Sequence, residues 1–358
     1  MNLDFLPRYF LGANSAEGFI NEFKNSYDVH DGWLAYIIKG GPGTGKSSLM
    51  KKIAKKAAGM GEKCILCPCS SDPFSLDAVI LPDCKKIILD GTAPHIVEPK
   101  YPAVCEQIIN TGDFWNEKGL DGKREKLLDL FALNSAYHKK AAQYITAAGQ
   151  IAKYGFAAQL SAADIEKTVK FACAAAKANL PPTDKKGREW VRFLSGITPD
   201  GLVFYGDTIT KESDRQIIIS DKYGAVSSVF MSVIRDIALK NGYEIITVKN
   251  ALLPGDITDH IIIPELSLAF CTENDFMSID SPARRIHSRR FTDMAKLNRN
   301  RQKLNFNKRI AKELLGAAIS SLQTAKALHD QMEKYFIDIM DFDSLNEYCE
   351  KTVDKFFK

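Results

Sequence analysis

The eight residues GGPGTGKS at positions 40–47 leave few folds open to this chain. They match the pattern GxxxxGK[ST], in which glycines let the backbone curl so that successive N–H groups point at one anion. The preceding segment WLAYIIKG is the apolar, β-branched run typical of a buried strand. The following segment, residues 45–61, carries apolar residues at helical spacing and ends near two glycines. The sequence therefore predicts an α/β fold with a strand, a phosphate-binding loop and a helix in succession.

The residues of this loop have distinct expected roles around a nucleoside triphosphate. Lys46 is expected to bridge the β- and γ-phosphates, and the hydroxyl of Ser47 is expected to bind Mg²⁺. Backbone N–H groups and the helix N-terminus would hold the phosphate oxygens. The predicted nucleotide-binding residues are Gly40, Gly41, Pro42, Gly43, Thr44, Gly45, Lys46, Ser47 and Ser48. Mg²⁺ and ATP are the expected cofactor and substrate, and no NKxD-type guanine signature is evident.

Acidic residues after two later strands are the candidates for the rest of the site. Asp90 ends the predicted strand KKIILD and is the expected second magnesium-binding residue, with a catalytic role beside Lys46. Asp72 and Asp77 follow the predicted strand KCILCPC, at the sheet edge where α/β proteins bind ligands. Asp72 is either catalytic or a turn residue. His95 could reach the γ-phosphate region from the end of the third strand, but a surface histidine is the favoured interpretation. Gly91 follows Asp90 where many ATPases have a glutamate, so fast hydrolysis is not implied.

The later segment ISDKYGAVSSVFM resembles the phosphate-loop segment IKGGPGTGKSSLM at a shift of 180 residues (220 − 40 = 180). In that frame Gly45 falls on Ala225 and Lys46 falls on Val226. Two further pairs of segments recur in the same order, RYFLGANSAEGF with RFLSGITPDGLV and LDAVILPDCKKIILD with TDHIIIPELSLAFCT. In the second pair Asp90 aligns with Thr272. The sequence therefore predicts an internal duplication whose second copy has lost its phosphate chemistry.

Chain length, composition and the positions of helical runs set the predicted domain boundaries. A chain of 358 residues with 45% hydrophobic and 26% charged residues is expected to form two globular domains. Alanine-rich helical runs follow the first copy, and NLPPTDKKGREW is the best linker. The predicted units are an active P-loop NTPase domain at 1–115, its helical extension at 116–183, a degenerate repeat at 184–282 and a basic helical extension at 283–358. The fold prediction is thus two tandem P-loop NTPase-like parallel-sheet repeats, each with an α-helical extension.

Location and cysteine chemistry are also constrained. No apolar run approaches the roughly 20 residues of a membrane-spanning helix, and the N-terminal segment lacks a signal-peptide pattern, so a cytoplasmic protein without a membrane partner is expected. The eight scattered cysteines are interpreted as reduced thiols. Cys64, Cys67 and Cys69 are interpreted as core residues, because no second CxxC completes a zinc set.

The region 284–309 is strongly basic, and the segment ARRIHSRRFTDMAKLNRNRQKLNFNKRI that contains it has a single acidic residue, Asp293. Such a stripe is suited to nucleic acid, to a phosphorylated substrate or to the triphosphate itself. Arg284, Arg285, Arg289 and Arg290 are candidates for an arginine finger if the two copies pack together. A solvated helix face remains the alternative.

The segments KGGPGTGKSSLMKKI, CSSDPFSLDAVILP, IILDGTAPHIVEP and SGITPDG resemble a family of uncharacterised bacterial P-loop ATPases, found mostly in Firmicutes. The similarity spans most of the chain, and the resemblance implies tandem P-loop NTPase domains that bind ATP. Members usually carry a second intact loop, whereas SDKYGAVSS lacks both the glycine and the lysine in this frame. An ATPase is therefore the leading expectation, with one nucleotide per chain. A kinase for a nucleotide or small molecule and a nucleotide-gated nucleic-acid-binding module are the alternatives, and the acceptor or effector is unknown.

Overall fold

The computed structural model describes residues 3–358 and has two large β-sheets covered by α-helices, so the α/β prediction is confirmed. The strands of the first half are β1 Gly12–Ser15, β2 Gly18–Asn21, β3 Leu34–Lys39, β4 Ile65–Pro68, β5 Leu76–Leu81, β6 Lys86–Asp90 and β7 Glu106–Asn110. Its helices are α1 Lys46–Gly59, α2 Arg124–Ala162 and α3 Ile165–Asn179.

The second half repeats this series of elements. Its strands are β8 Arg188–Arg192, β9 Ser195–Thr198, β10 Gly201–Phe204, β11 Arg215–Ser220, β12 Glu244–Lys249, β13 Thr258–Ile263, β14 Leu268–Glu273 and β15 Arg285–His287. Its helices are α4 Asp207–Glu212, α5 Ala225–Lys240, α6 Met294–Asn298, α7 Arg301–Ile337 and α8 Phe342–Phe357. No helix within residues 3–358 is both long enough and apolar enough to cross a membrane.

The two large sheets have the same topology. The first has the strand order β4-β5-β6-β3-β7, and the second has β12-β13-β14-β11-β15 with β8 added beside β12. In each sheet the strand before the loop helix pairs in parallel with both of its neighbours. The pairings β4–β5 and β5–β6 of the first sheet are antiparallel, and so are the equivalent pairings β12–β13 and β13–β14 of the second. Equivalent order and direction in both sheets agree with the predicted duplication of the chain.

The prediction of parallel sheets is wrong, because both sheets are mixed. The strand β5 lies between β4 and β6 in sequence and pairs with each of them antiparallel. Its connections are residues 69–75 and 82–85. A parallel crossover requires a dozen or more residues, so connections of this length can form only hairpins.

The two sheets pack face to face, and the core is shared between the two halves. Alternate strand residues such as Ile37 on β3 and Ile218 on β11 enter this shared core. Their neighbours Ile38 and Ile219 point to the opposite faces, where helices cover them. Phe10 and Phe193 donate backbone N–H groups to each other's carbonyls at 2.8 and 3.0 Å. This reciprocal pair lies between equivalent hairpins and marks an approximate two-fold relation between the halves.

Each half covers its outer sheet face with one helix of its own and one from the other half. The outer face of the first sheet packs on α1 and on α8, whose Val353 and Phe356 enter that core. The outer face of the second sheet packs on α5 and on α3, which contributes Ala172 and Ala176. The long helices α2 and α7 pack along each other and carry the chain between the two sites. The helical extensions are therefore exchanged between the halves.

Candidate phosphate-binding site

The glycine-rich loop connects β3 to α1, as the motif predicts. Gly43 and Gly45 have φ angles of 70° and 75°, a left-handed conformation that strains a residue with a side chain. Gly45 is the N-cap of α1, and Lys46 is its first residue. The Lys46 ammonium donates hydrogen bonds to the carbonyl oxygens of Gly40 and Gly41 at 2.8 and 2.7 Å. The loop therefore curls around the lysine side chain.

The backbone donors of this loop are open. Within residues 3–358, the N–H groups of residues 43–47 donate to no protein acceptor. They lie at the start of a 14-residue helix, where the helix dipole places partial positive charge. An anion seated here would receive several N–H groups together with the charge of Lys46. Ser48, also predicted to bind nucleotide, is exposed on the first turn of α1.

The equivalent loop of the second half is shorter. Residues 40–45 separate β3 from α1, whereas only residues 221–224 separate β11 from α5. Gly224 has φ of 78° and is the N-cap of α5, so it occupies the position of Gly45. Ala225 then corresponds to Lys46. The sequence frame that placed Gly45 on Ala225 and Lys46 on Val226 is wrong by one residue, because it assumed loops of equal length.

Side chains already occupy two of the amide donors at the start of α5. Asp221 is fully buried, and its Oδ2 accepts the N–H of Ser227 at 2.9 Å. Gln159 of α2 accepts the N–H of Ala225 at 3.0 Å and donates its side-chain amide to Asp221. These contacts use two of the N–H groups at the start of α5 and place a buried acidic side chain there. The second loop thus lacks the lysine, and Asp221 and Gln159 fill part of the space where an anion would bind.

Asp90 and Ser47 lie where the sequence predicts the magnesium-binding groups. Asp90 ends β6 beside β3, and its Oδ2 is 3.6 Å from the Lys46 Nζ. Its Oδ1 accepts the N–H and hydroxyl of Thr92 at 2.9 and 2.6 Å. The Ser47 hydroxyl accepts the N–H of Leu76 at 3.0 Å, which leaves its own proton and a lone pair available. Hydroxyl and carboxylate oxygens are the ligands that Mg²⁺ prefers, so these residues fit the ion.

A second buried carboxyl lies behind Asp90. Burial, together with the charge of Asp90, raises the pKa of Asp77 to about 7. Asp259 holds the equivalent position in the second half, where burial also raises its pKa to about 7. Because the position is retained where the lysine is not, Asp77 and Asp259 share a role in the fold of each repeat.

His95 is not the surface histidine that the sequence suggests. Its side chain is 6% exposed, stacks on Phe23 with ring centroids 4.3 Å apart, and lies 4.0 Å from the Asp77 carboxylate. Neither ring nitrogen has a hydrogen-bond partner within residues 3–358. Burial lowers the pKa of His95, which favours the neutral imidazole.

Asp72 contacts the other half of the chain. Its Oδ2 accepts the hydroxyl of Ser75 at 2.7 Å in a local turn, and its Oδ1 lies 3.5 Å from the ammonium of Lys326 on α7. Lys326 is also 3.0 Å from Asp330. The second half therefore supplies a cation beside the predicted catalytic residue Asp72.

The end of α7 and the start of α8 pack against the outer side of the phosphate loop. A Cβ added to Gly43 would lie 2.8 Å from Ile337, and one added to Gly45 would lie 3.2 Å from Leu345. Trp115, which follows β7, packs in the same way on Gly41 at 2.9 Å. Sequence reasoning missed these contacts, because no local pattern relates a helix to a loop almost 300 residues away.

One further group of ligand-type side chains lies on α7. His329, Asp330 and Glu333 offer atoms within 4.8 Å of one another. Asp330 is already paired with Lys326, so this group does not form an independent set of free ligands.

The basic region does not reach this loop. Arg285 is held by Glu273 at 3.0 Å and by carbonyl groups in the second half, and Arg289 lies beside Tyr223 of the second loop. From that position α7 extends about 40 Å toward the phosphate loop, at 1.5 Å per residue. The candidates for an arginine finger therefore lie in the second half, away from the phosphate loop that such a finger would have to reach. They are Arg284, Arg285, Arg289 and Arg290.

No protein-family model matches this chain, and no curated protein or solved structure is similar to it at a significant level. The functional argument therefore depends on the geometry of the two loops.

Proposed function

We propose that this protein is a Mg-ATP-binding P-loop NTPase of two tandem repeats, with one functional nucleotide site in the first half. The contrast between the two loops carries the proposal. The first has Lys46 at the helix start, whereas the second has Ala225 there, a buried acidic side chain, Asp221, and two N–H groups that Asp221 and Gln159 already use. A single chain thus provides both a candidate site and its internal negative control.

Each site residue has a role in this proposal. The N–H groups of residues 43–47 would hold the phosphate oxygens, and Lys46 would move from the Gly40 and Gly41 carbonyls to the β- and γ-phosphates. Ser47 and Asp90 would hold Mg²⁺, which supplies positive charge to the triphosphate when bound. Lys326 adds a cation from the second half close to Asp72.

Hydrolysis is the favoured reaction, with phosphate transfer to a small molecule as the second candidate. Gly91 follows Asp90, so the chain has no glutamate next to that aspartate to activate water. This feature favours either a slow ATPase or a kinase whose acceptor supplies the nucleophile. Asp72 is the predicted catalytic carboxylate, and its pairing with Lys326 would have to loosen before it accepted a proton.

Nucleotide titration and ATP turnover test the proposal. We expect one ATP per chain, and we expect Lys46→Ala to weaken binding or turnover by at least about 100-fold, the range found for the loss of one charged transition-state contact. Lys55→Ala is the matched control, because Lys55 is exposed on the same helix. Two nucleotides per chain, or equal effects of the two substitutions, would contradict the proposal.

The same assay separates the two reactions. A metabolite panel is added with labelled ATP, and the label is followed in free phosphate and in any acceptor. If the label enters an acceptor faster than it enters free phosphate, the protein is a kinase. If the label appears as free phosphate at the same rate with and without every acceptor, the protein is an ATPase.

A further inference from the structure

Two adjoining cavities lie at the second loop, far from the candidate ATP site. The smaller has a volume of about 280 Å³ and the larger about 710 Å³. Both are lined by Lys222, Tyr223 and Leu304. From Leu304 to Glu333, which contacts the phosphate loop, α7 spans about 40 Å at 1.5 Å per residue. A molecule in these cavities therefore could not receive a phosphoryl group directly from ATP at the first loop.

The smaller cavity is cationic. Arg289 and Arg301 line it together with Lys222, and no acidic residue of the described chain does. None of these three side chains forms an ion pair with a carboxylate within residues 3–358, unlike Arg285 nearby. Neutral hydrogen-bonding side chains such as Ser288 and Asn298 complete the lining. Converging, unpaired cations of this kind suit a carboxylate, phosphate or sulfonate group.

The larger cavity is mainly apolar. The side chains that give it this character come from the β9–β10 hairpin, the loop after β12 and the face of α7, and they include Ile197, Leu202, Leu253, Ile257, Leu315 and Ile319. Its volume is in the range of 300–1,000 Å³ that small-molecule sites occupy. Its charged lining residues are mixed in sign: Lys308 is paired with Asp275, and Lys312 and the buried Asp259 also line it, so cations without acidic neighbours are found in the smaller cavity.

We propose that the second half binds an amphipathic organic anion, with its charged head beside Lys222, Arg289 and Arg301 and its apolar body in the larger cavity. The shortened loop makes this arrangement possible. Asp221 and Gln159 accept two of the N–H groups at the helix start, while Lys222 and Tyr223 of the same loop line the cavities. A site derived from a phosphate loop would thereby bind a different class of ligand.

Calorimetric titration with dodecyl phosphate, below the concentration at which it forms micelles, tests this proposal. We expect one molecule bound per chain. Dodecanol, which lacks the head, and inorganic phosphate, which lacks the body, should each bind at least 10-fold more weakly. Removing the cations in an Arg289→Gln, Arg301→Gln double variant should weaken dodecyl phosphate binding about 10-fold or more.

A second set of variants tests the larger cavity by filling it with a bulky side chain. Ala311 is buried on its wall, so Ala311→Phe should reduce binding at least 10-fold, and Ala327→Phe on an exposed turn of α7 is the matched control. If Ala311→Phe does not fold, Gly316→Leu replaces it, because a Cβ at Gly316 meets no atom within 4 Å.

Three results would overturn the proposal. One is no binding of dodecyl phosphate, and another is binding that neither cavity-filling substitution weakens. The third is Arg289-dependent binding of a single-stranded RNA oligonucleotide without binding of dodecyl phosphate, which would make the basic region a nucleic-acid surface. Lys46→Ala should leave dodecyl phosphate binding unchanged, so the test is independent of the ATP site.

Discussion

Gly45 and Gly224 hold the same left-handed conformation at the start of equivalent helices, with φ of 75° and 78°. The next residue is Lys46 in one loop and Ala225 in the other. The glycine thus serves the turn from strand to helix, and the lysine serves the ligand. The second half therefore keeps the strand-to-helix turn without the lysine that the proposed phosphate site requires.

This separation predicts different effects of the same substitution. Gly45→Ala and Gly224→Ala should each lower the free energy of unfolding by about 1–2 kcal/mol, the usual cost of placing a side chain in this conformation. Only Gly45→Ala should also weaken ATP binding, by about 10-fold, because it moves the open N–H groups. Urea denaturation and ATP titration of both variants check this. An equal loss of ATP affinity in Gly224→Ala would show that the second loop contributes to the nucleotide site.

The buried carboxyl of Asp259 predicts a pH dependence of stability. Its folded pKa of about 7 lies above its unfolded value of about 3.9. Between these values the folded chain holds a proton that the unfolded chain has released, so the free energy of unfolding falls as the pH rises from about 4 to 7. An amide at this position has no such proton to lose. Asp259→Asn should therefore gain about 2 kcal/mol relative to the unsubstituted protein between pH 5 and pH 8.

Urea denaturation at both pH values measures this difference, and the exposed Asp129→Asn is the control. If the two proteins change in parallel with pH, Asp259 does not titrate in this range in the folded state.

At the scale of elements, helical spacing predicts faces better than it predicts partners. The sequence correctly indicates that Leu49, Met50, Ile53, Ala54 and Ala57 form the buried side of α1. The spacing also predicts an apolar stripe on α7 at Ile310, Leu314, Ala318, Leu322, Ala325 and Leu328, of which Ala318, Leu322 and Ala325 are buried and the other three are half-buried. Periodicity cannot say which sheet a helix covers, so the exchange of α3 and α8 between the halves was not foreseen. The strand β5 is an apolar run like β3, but the prediction of parallel sheets neglected the short connections on either side of it, residues 69–75 and 82–85, which allow only antiparallel pairing.

The phosphate loop itself was predictable because its chemistry is local in sequence. Asp90 was found from the strand end that precedes it. Lys326, Trp115 and Leu345 reach the same site from distant elements, and no short pattern connects them to it. The residues of the candidate phosphate site can therefore be predicted from the sequence, whereas those that support the loop require the tertiary structure.

The docking of α8 on the first sheet predicts that a substitution near the C-terminus strongly lowers the free energy of unfolding. Phe356 is fully buried against Tyr36 of β3, with ring centroids 4.8 Å apart. Phe356→Ala should lower the free energy of unfolding by about 3 kcal/mol or more, as for other buried phenylalanines. Phe357→Ala, at a half-buried site, should cost less than about 1 kcal/mol. Chemical denaturation of both variants distinguishes a docked helix from a loosely attached one, for which the two losses would be similar.

At the scale of the whole molecule, neither half can bury its own apolar surface. The inner faces of the two sheets form one core, and each outer face requires a helix from the opposite half. The candidate ATP site follows the same rule, because its loop belongs to the first half while Lys326, Ile337 and Leu345 belong to the second. If the first half binds ATP as proposed, that binding would depend on elements that the second half supplies.

Division of the chain in its linker tests this dependence. Fragments 1–183 and 184–358, produced together, should form a 1:1 complex that binds ATP, because every exchanged contact can form without a covalent link. Fragment 1–183 alone would expose the sheet faces that β14 and α8 normally cover, together with the apolar side of α3, so it should aggregate or pair with itself. Gel filtration with light scattering measures both states. A monomeric fragment 1–183 that binds ATP unaided would mean that the second half is dispensable for the fold and the site of the first.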